Sequence, residues 1–314
     1  MPEIGAGMDW KAEIDRAAER IGPYIMQTPV METGGFGLPF EVALKLEQVQ
    51  HTGTFKARGA FNTMLKNPVP EAGIVAASGG NHGAAVAYAA THLGHPAHIF
   101  VPEIAGPSKI ALIRSTGAEL TVVAGEYANA LEMAQAHEDR TCAMQIHAYD
   151  AVDTVAGQGT LMSEWEGQGL EADTVVIAVG GGGLIAGALA WLQGARKVVA
   201  VEPDTSCALH AALAAGEPVD VDVSGVAANA LGARRIGSIC LDLSQQFLGE
   251  AVTVPDAAIT AAQVALWRER RLLVEPAGAT ALAALMSGAY QPAPSERVAV
   301  LLCGGNIAPD PFAG

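Results

Sequence analysis

The chain reads as a two-domain α/β protein built on parallel-rich sheets flanked by helices. Three observations carry that reading. Between residues 73 and 146 short apolar runs alternate with helical segments, the pattern of parallel strands joined by crossover helices and covered on both faces. The run over residues 175–179 is continuously apolar and meets an apolar helix through four consecutive glycines, Gly180, Gly181, Gly182 and Gly183. Strand and helix patterns continue to residue 302 of a 314-residue chain, which is long enough for one large or two modest cores.

In chain order, residues 10–20 carry apolar side chains at helical spacing, residues 24–29 lead in as extended chain, and residues 41–45 alternate like a strand. Residues 73–77 form a short apolar strand, and the turn at Ser78 feeds a helix over 83–92. Strand 97–101, helix 108–116, strand 119–123, helix 127–138 and strand 143–146 follow. After Asp150 come a helix over 156–166, the strand over 174–179, the glycine turn, a helix to residue 192 and a strand over 197–201. The stretch 217–237, rich in Gly, Ala and Arg, reads as loop, and helices over 256–270 and 276–286 and a strand over 297–302 close the fold. The block 73–148 is expected to be a small substrate-side domain inserted into a larger cofactor-binding domain formed by 1–72 and 149–314.

Half of the residues are hydrophobic and 16% are charged, a composition that excludes disorder. A net charge of −15 argues against nucleic acid or another polyanion as the partner. Cys142, Cys207, Cys240 and Cys303 are far apart with no Cys-x-x-Cys pair, which suits reduced thiols in the cytoplasm better than a disulfide framework or a zinc site. Residues 1–9 carry acid where a secretory leader would be basic. Residues 175–192 are uncharged and about as long as a short membrane span, yet the four glycines make strand, turn and helix the better reading. No membrane association is expected.

The chemistry gathers in four small-residue turns. The first, HTGTFKARGA over residues 51–60, sets Lys56 behind Phe55 and after a Thr/Gly turn, in a chain with six lysines and twelve arginines. A cramped, partly desolvated amine has a lowered pKa and is a usable nucleophile or base; the competing reading is an ordinary helix start with a snorkelling lysine. The second is SGGNHG over 78–83, opening a helix, where backbone N–H groups can receive an anion. The third, Gly180 to Gly183 followed by Leu184, bares N–H groups at a helix start to a phosphate. It also satisfies a dinucleotide fingerprint through Gly181, Gly183 and Ala186, with Glu202 as the acid some twenty residues on. The fourth is LCGGN over 302–306. The dinucleotide reading leaves Lys56, Asn81 and the Cys303 turn without a role.

With these turns in this order, the sequence resembles the fold-type II pyridoxal-phosphate enzymes, most closely the serine/threonine dehydratase (ammonia-lyase) and serine racemase branch, from about residue 29 to residue 306. The resemblance implies a cofactor held between the domains: Lys56 bonded to its aldehyde, Phe55 packed near its ring, Asn81 on its phenolic oxygen, Gly180 to Leu184 on its phosphate and Cys303 facing its pyridine nitrogen. It implies that Ser78, Gly79, Gly80, Asn81 and His82 receive the substrate carboxylate, with Lys56 and Ser78 as catalytic residues. The activity implied is elimination from L-serine, L-threonine or a related β-hydroxy amino acid to a 2-oxo acid and ammonia, in a homodimer. A thiol cannot hold a proton on the pyridine nitrogen as a carboxylate would, and the weaker electron sink suits elimination. Outside the resemblance, Cys303 is better read as a small buried hydrophobe beside a turn, and His82 is more readily a hydrogen-bonded scaffold than a base.

Three departures narrow the reading. Racemases of this branch place a serine where this chain has Gly79, so racemase ranks below dehydratase. A cation-binding acid of the relatives is matched by Glu202, but the second acid falls on Ala208, with Asp204 an imperfect substitute, so no metal is expected. The chain ends at Gly314, which implies no appended regulatory domain. Glu275, in EPAG, reads equally as an acid bordering the cofactor and as a helix-start Glu-Pro. The histidines at 92, 95 and 98 read as solvated surface. Alternatives are a β-replacement enzyme of the cysteine-synthase kind, a silent amino-acid sensor and, in another class, an NAD-dependent oxidoreductase.

Overall fold

The computed structural model describes residues 7–105, 107–125 and 127–307. The first six residues of the acidic N-terminal stretch and the chain end at Gly314 lie outside the described residues.

Among the described residues, ten strands form two sheets. β1 (Val30–Gly35), β2 (Leu38–Leu46), β7 (Thr174–Ala178), β8 (Lys197–Pro203), β9 (Glu250–Val254) and β10 (Val298–Leu302) make a six-stranded sheet in the order β1-β2-β10-β7-β8-β9. Within it the β1/β2 pair is antiparallel, and the pairs β2/β10, β10/β7, β7/β8 and β8/β9 are parallel. β3 (Ile74–Ala77), β4 (Ala97–Pro102), β5 (Glu119–Val123) and β6 (Met144–Gln145) make a four-stranded parallel sheet in the order β5-β4-β3-β6.

The helices are α1 (Trp10–Ile21), α2 (Lys56–Lys66), α3 (Asn81–His92), α4 (Pro107–Ser115), α5 (Tyr127–Thr141), α6 (Val152–Gly167), α7 (Gly183–Leu192), α8 (Ala208–Ala215), α9 (Ala228–Leu231), α10 (Ser238–Phe247), α11 (Asp256–Ala265) and α12 (Pro276–Ser287). The small sheet shows why its strands are apolar throughout. Successive side chains face opposite sides, so Ile74 and Ala76 pack with Ile99, Val101 and α3, while Val75, Ala77 and Phe100 pack with Ala130 and Ala134 of α5. The large sheet is likewise covered on both faces in one core that includes Val175, Val199 and Val300. Helix α2 joins the small core through Ala57, Phe61 and Met64, although it precedes the small sheet in sequence.

Several elements differ from the pattern reading. α3 starts at Asn81 rather than 83, which puts Asn81 and His82 in its first turn. α6 starts at Val152, and the strand over 143–146 shrinks to Met144–Gln145. The helix over 256–270 is α11 followed by a π-helical turn, Leu266–Arg270, ending where Arg271 turns left-handed at φ 59°. β1, β9, α8 and α10 carry no clear period in the sequence, and the 217–237 stretch contains the single turn α9.

Behind α2 lies a buried charge network. The Arg58 guanidinium donates to both Glu47 oxygens at 3.0 and 2.7 Å and to Glu164 at 2.8 Å, while Lys45 reaches Glu164 at 2.6 Å. Arg58, Glu47 and Lys45 have no solvent exposure.

Candidate active site

Two turns from opposite ends of the described chain interlock around Lys56. Thr52 and Gly53 adopt left-handed conformations, with φ of 60° and 75°. This folds the chain back so that Gly305 N–H donates to the Gly53 carbonyl at 2.9 Å, Phe55 N–H to the Cys303 carbonyl at 3.4 Å and Asn306 Nδ2 to the Thr52 carbonyl at 2.7 Å. Lys56 is the first residue of α2, and its Nζ turns inward, donating to the Ala148 carbonyl at 2.8 Å and standing 5.3 Å from the centroid of the Phe55 ring. That geometry excludes the snorkelling alternative. The residue keeps some contact with solvent, but the amine lies deep among protein atoms, and its setting governs its chemistry. Burial pulls its pKa down to about 8.

The turn from Ser78 to His82 follows β3 and opens α3. Gly80 N–H donates to Ser78 Oγ at 3.2 Å, so the Ser78 hydroxyl is engaged within the turn. Gly79 has no room for a side chain, because a Cβ there would overlap the Ala105 methyl. Asn81 donates through Nδ2 to Glu275 Oε1 at 2.6 Å and accepts at Oδ1 from Asn306 Nδ2 at 2.9 Å. Among the described residues, one amide hydrogen of Asn81 is left over. His82 Nε2 lies 2.9 Å from the Ile146 carbonyl, so that nitrogen carries the proton. Burial first, then the Lys56 charge, push the imidazole down to about 3. His82 therefore stays neutral and serves as a scaffold.

The glycine turn between β7 and α7 is pressed against protein on its side-chain face. A Cβ on Gly181 would enter the Tyr149 ring, one on Gly183 would stand 2.9 Å from Tyr149 Cα, and one on Gly180 would stand 2.9 Å from Leu231 Cα. Gly182, at φ 94°, is left-handed. Among the described residues, the N–H groups of Gly180, Gly181 and Gly182 meet no protein acceptor. These donors, with those of Gly183 and Leu184 in the first turn of α7, form an anion cradle. The Ala148–Tyr149 segment joins this cradle to Lys56, since Ala148 accepts from the amine while Tyr149 packs on the glycines.

Cys303 is buried, and its thiol donates to the Ala277 carbonyl at 3.4 Å. Burial and the neighbouring Glu275 push it well above the ordinary thiol range, so it stays protonated. Glu275 is 2% exposed, and burial raises it to about 7 against the pull of Lys109 and Asn81. It borders the site through Asn81 while also opening α12.

Glu202 is engaged elsewhere. Its two oxygens accept the Leu209 and His210 N–H groups at 2.8 Å each, capping α8. Burial raises it to about 7. It is thus not free for a ribose hydroxyl, and Ala208 adds no ligand beside it. Among the described residues no cluster of three or more His, Cys, Asp or Glu side chains could hold a metal ion. His92 and His98 lie in separate aromatic groups, with Tyr88 and with Phe100. No described helix is long and apolar enough to cross a membrane. Ala148, Tyr149 and Lys109 escaped the sequence reading because each reaches the site only through tertiary packing.

A family model described as pyridoxal-phosphate dependent enzyme matches residues 21–304. The chain is 36% identical over 301 residues to a phenylserine dehydratase of Ralstonia pickettii, covering 94% of this chain and 92% of that protein. Among solved structures, maize serine racemase superposes with a TM-score of 0.90 at 29% identity, covering 95% of this chain and 93% of that one. A threonine deaminase from T.th. superposes at 0.87 with 33% identity, covering 94% of this chain and 97% of that one.

Proposed function

The chain belongs to the pyridoxal-phosphate dependent enzyme family, and from that premise we propose that it is an ammonia-lyase. It converts a β-hydroxy amino acid of the serine, threonine or phenylserine kind into a 2-oxo acid and ammonia. The observation that carries this reading is the inward-facing Lys56 amine, held near pKa 8 within a chain of contacts that leads through Ala148 and Tyr149 to a set of unmatched N–H donors.

Those features fit pyridoxal phosphate. The bare cradle from Gly180 to Leu184 would take the phosphate, the spare Asn81 amide hydrogen the phenolic oxygen, Phe55 the ring edge and Cys303 the ring nitrogen. When bound, the cofactor supplies an aldehyde that captures amines and a conjugated ring that withdraws electrons from the bond to be broken.

The chain's own residues divide the remaining work. The first-turn N–H groups of α3 and the turn from Ser78 hold and orient the substrate carboxylate. Unprotonated Lys56 accepts the Cα proton, and the resulting ammonium can protonate the β-hydroxyl as it leaves as water. Protonated Cys303 offers no charge to fix a proton on the ring nitrogen, which favours elimination over a long-lived carbanion. The water lost from the β-carbon is regained on hydrolysis, so the net products are the 2-oxo acid and ammonium. A racemase needs a second proton carrier opposite Lys56, and Gly79 with Ala105 against it leaves no space for one.

The reading extends to a homodimer, for which Val264 and Trp267, 41% and 48% exposed, offer apolar surface. It also extends to a cytoplasmic setting for the four free thiols and to a small domain over 73–148 set into the larger remainder. The test is purified holoenzyme against serine, threonine and phenylserine with 2-oxo acid detection. Formation from at least one supports the proposal, and absence from all three with cofactor bound overturns it.

A further inference from the structure

One further cation stands against the carboxylate turn. Lys109, on α4, is 6% exposed. Its Nζ donates to the Asn229 carbonyl of α9 at 3.1 Å and lies 3.8 Å from the point a Cβ on Gly80 would occupy; that point is 3.4 Å from the same carbonyl. Amine, turn and carbonyl thus meet beside the start of α3. An ammonium carries three donors. Among the described residues the Asn229 carbonyl is the one hydrogen-bond acceptor recorded for it. Glu275 reaches it only through space, its Oε1 being bonded to Asn81. A buried ammonium with a single neutral acceptor carries a desolvation cost that one carbonyl does not offset. Its position beside free N–H groups points to an anion that arrives with the substrate.

We propose that Lys109 is a substrate-positioning residue whose ammonium attracts the α-carboxylate of the amino acid bound at the 78–82 turn, while its bond to Asn229 ties the 217–237 segment to that event. The assignment rests on the functional reading above and deepens it. Substrate binding through the carboxylate then depends on Lys109, whereas binding through the amine does not.

The test is calorimetric binding to holoenzyme of two probes, each lacking one group the elimination needs. α-Methylserine carries the carboxylate and lacks the Cα proton; ethanolamine lacks the carboxylate. Lys109→Met, which keeps the buried stem, is expected to weaken α-methylserine about ten- to hundredfold, the range of a hydrogen bond to a charged group, and to leave ethanolamine within about twofold. The kcat/KM for a hydroxy amino acid falls through KM. Equal weakening of both probes, or of neither, overturns the assignment. Gly80→Ala, whose methyl meets only ordinary contacts, screens the amine from the turn and is expected to show the same selective loss even if the lysine variant does not fold; unchanged α-methylserine binding in it overturns the assignment. Wild-type turnover with an indifferent Lys109→Met defeats this assignment alone. Wild-type protein that neither binds α-methylserine nor forms a 2-oxo acid overturns the functional reading and the assignment with it.

Discussion

Replacing Arg58 by methionine removes the centre of the charge network that backs the Lys56 helix. In the wild type the guanidinium satisfies both oxygens of Glu47 and one of Glu164. After the change Glu164 keeps Lys45 at 2.6 Å, but among the described residues the one hydrogen-bond donor left to the Glu47 carboxylate is the Thr28 hydroxyl at 2.6 Å. Removing one partner of a buried ion pair typically costs about 3–5 kcal/mol, because the surviving charge remains desolvated. At about 1.4 kcal/mol per tenfold, that shifts the folding equilibrium by two to almost four powers of ten, a large share of the roughly 5–15 kcal/mol that holds a folded protein together. Burial alone would raise Glu164, but Arg58 and Lys45 outweigh it and hold the carboxyl below its ordinary range. A lowered folded-state pKa contributes stability above the unfolded pKa that is lost as pH falls through the folded value. The gap between wild type and variant is therefore widest at neutral pH and narrows as the solution is acidified. Urea unfolding of both proteins at several pH values measures it. A loss under about 1 kcal/mol at neutral pH, or a gap that widens on acidification, would refute the reasoning.

Glu275→Gln tests the other buried acid. Its folded pKa of about 7, against an ordinary 4.5, gives stability present below 4.5 and lost as pH rises through 7, roughly 3 kcal/mol across that window. The variant should lack that fall in pH-dependent unfolding; an unchanged profile counts against a raised Glu275. Gly182→Ala places a Cβ 2.5 Å from Cys240 Sγ at φ 94°. It should cost about 1–3 kcal/mol in strain and weaken cofactor uptake; thermal unfolding and cofactor titration read both, and wild-type values in each would show that the turn is not constrained. Gly79→Ser should form no D-serine by chiral chromatography, since its side chain must displace Ala105. Racemisation at a rate near that of elimination would reverse the argument against a second proton carrier.

The parallel sheets were legible because both faces are buried. Residues 74–77 and 175–178 can then be apolar without a break, and glycines punctuate the strand ends. The inward placement of Lys56 was legible for a local reason, since a lysine is rarely set between small residues that leave it no path outward. What stayed hidden is held by tertiary structure. α8 is so rich in alanine that it shows no apolar stripe, β9 is a half-exposed edge strand, and β1 owes its form to pairing with β2 across an irregular register. Ala148 enters the site as a carbonyl, which any residue could supply. Lys109 and Asn229 are 120 positions apart and meet only once both sheets are in place.

The central claim concerns one amine, and trapping tests it most directly. Holoenzyme reduced with borohydride, digested and analysed by mass spectrometry is expected to carry the pyridoxyl mass on the peptide containing Lys56, and Lys56→Ala treated in the same way is expected to carry none. Label on another lysine in the wild type, or an unlabelled wild type with cofactor bound, would contradict the account.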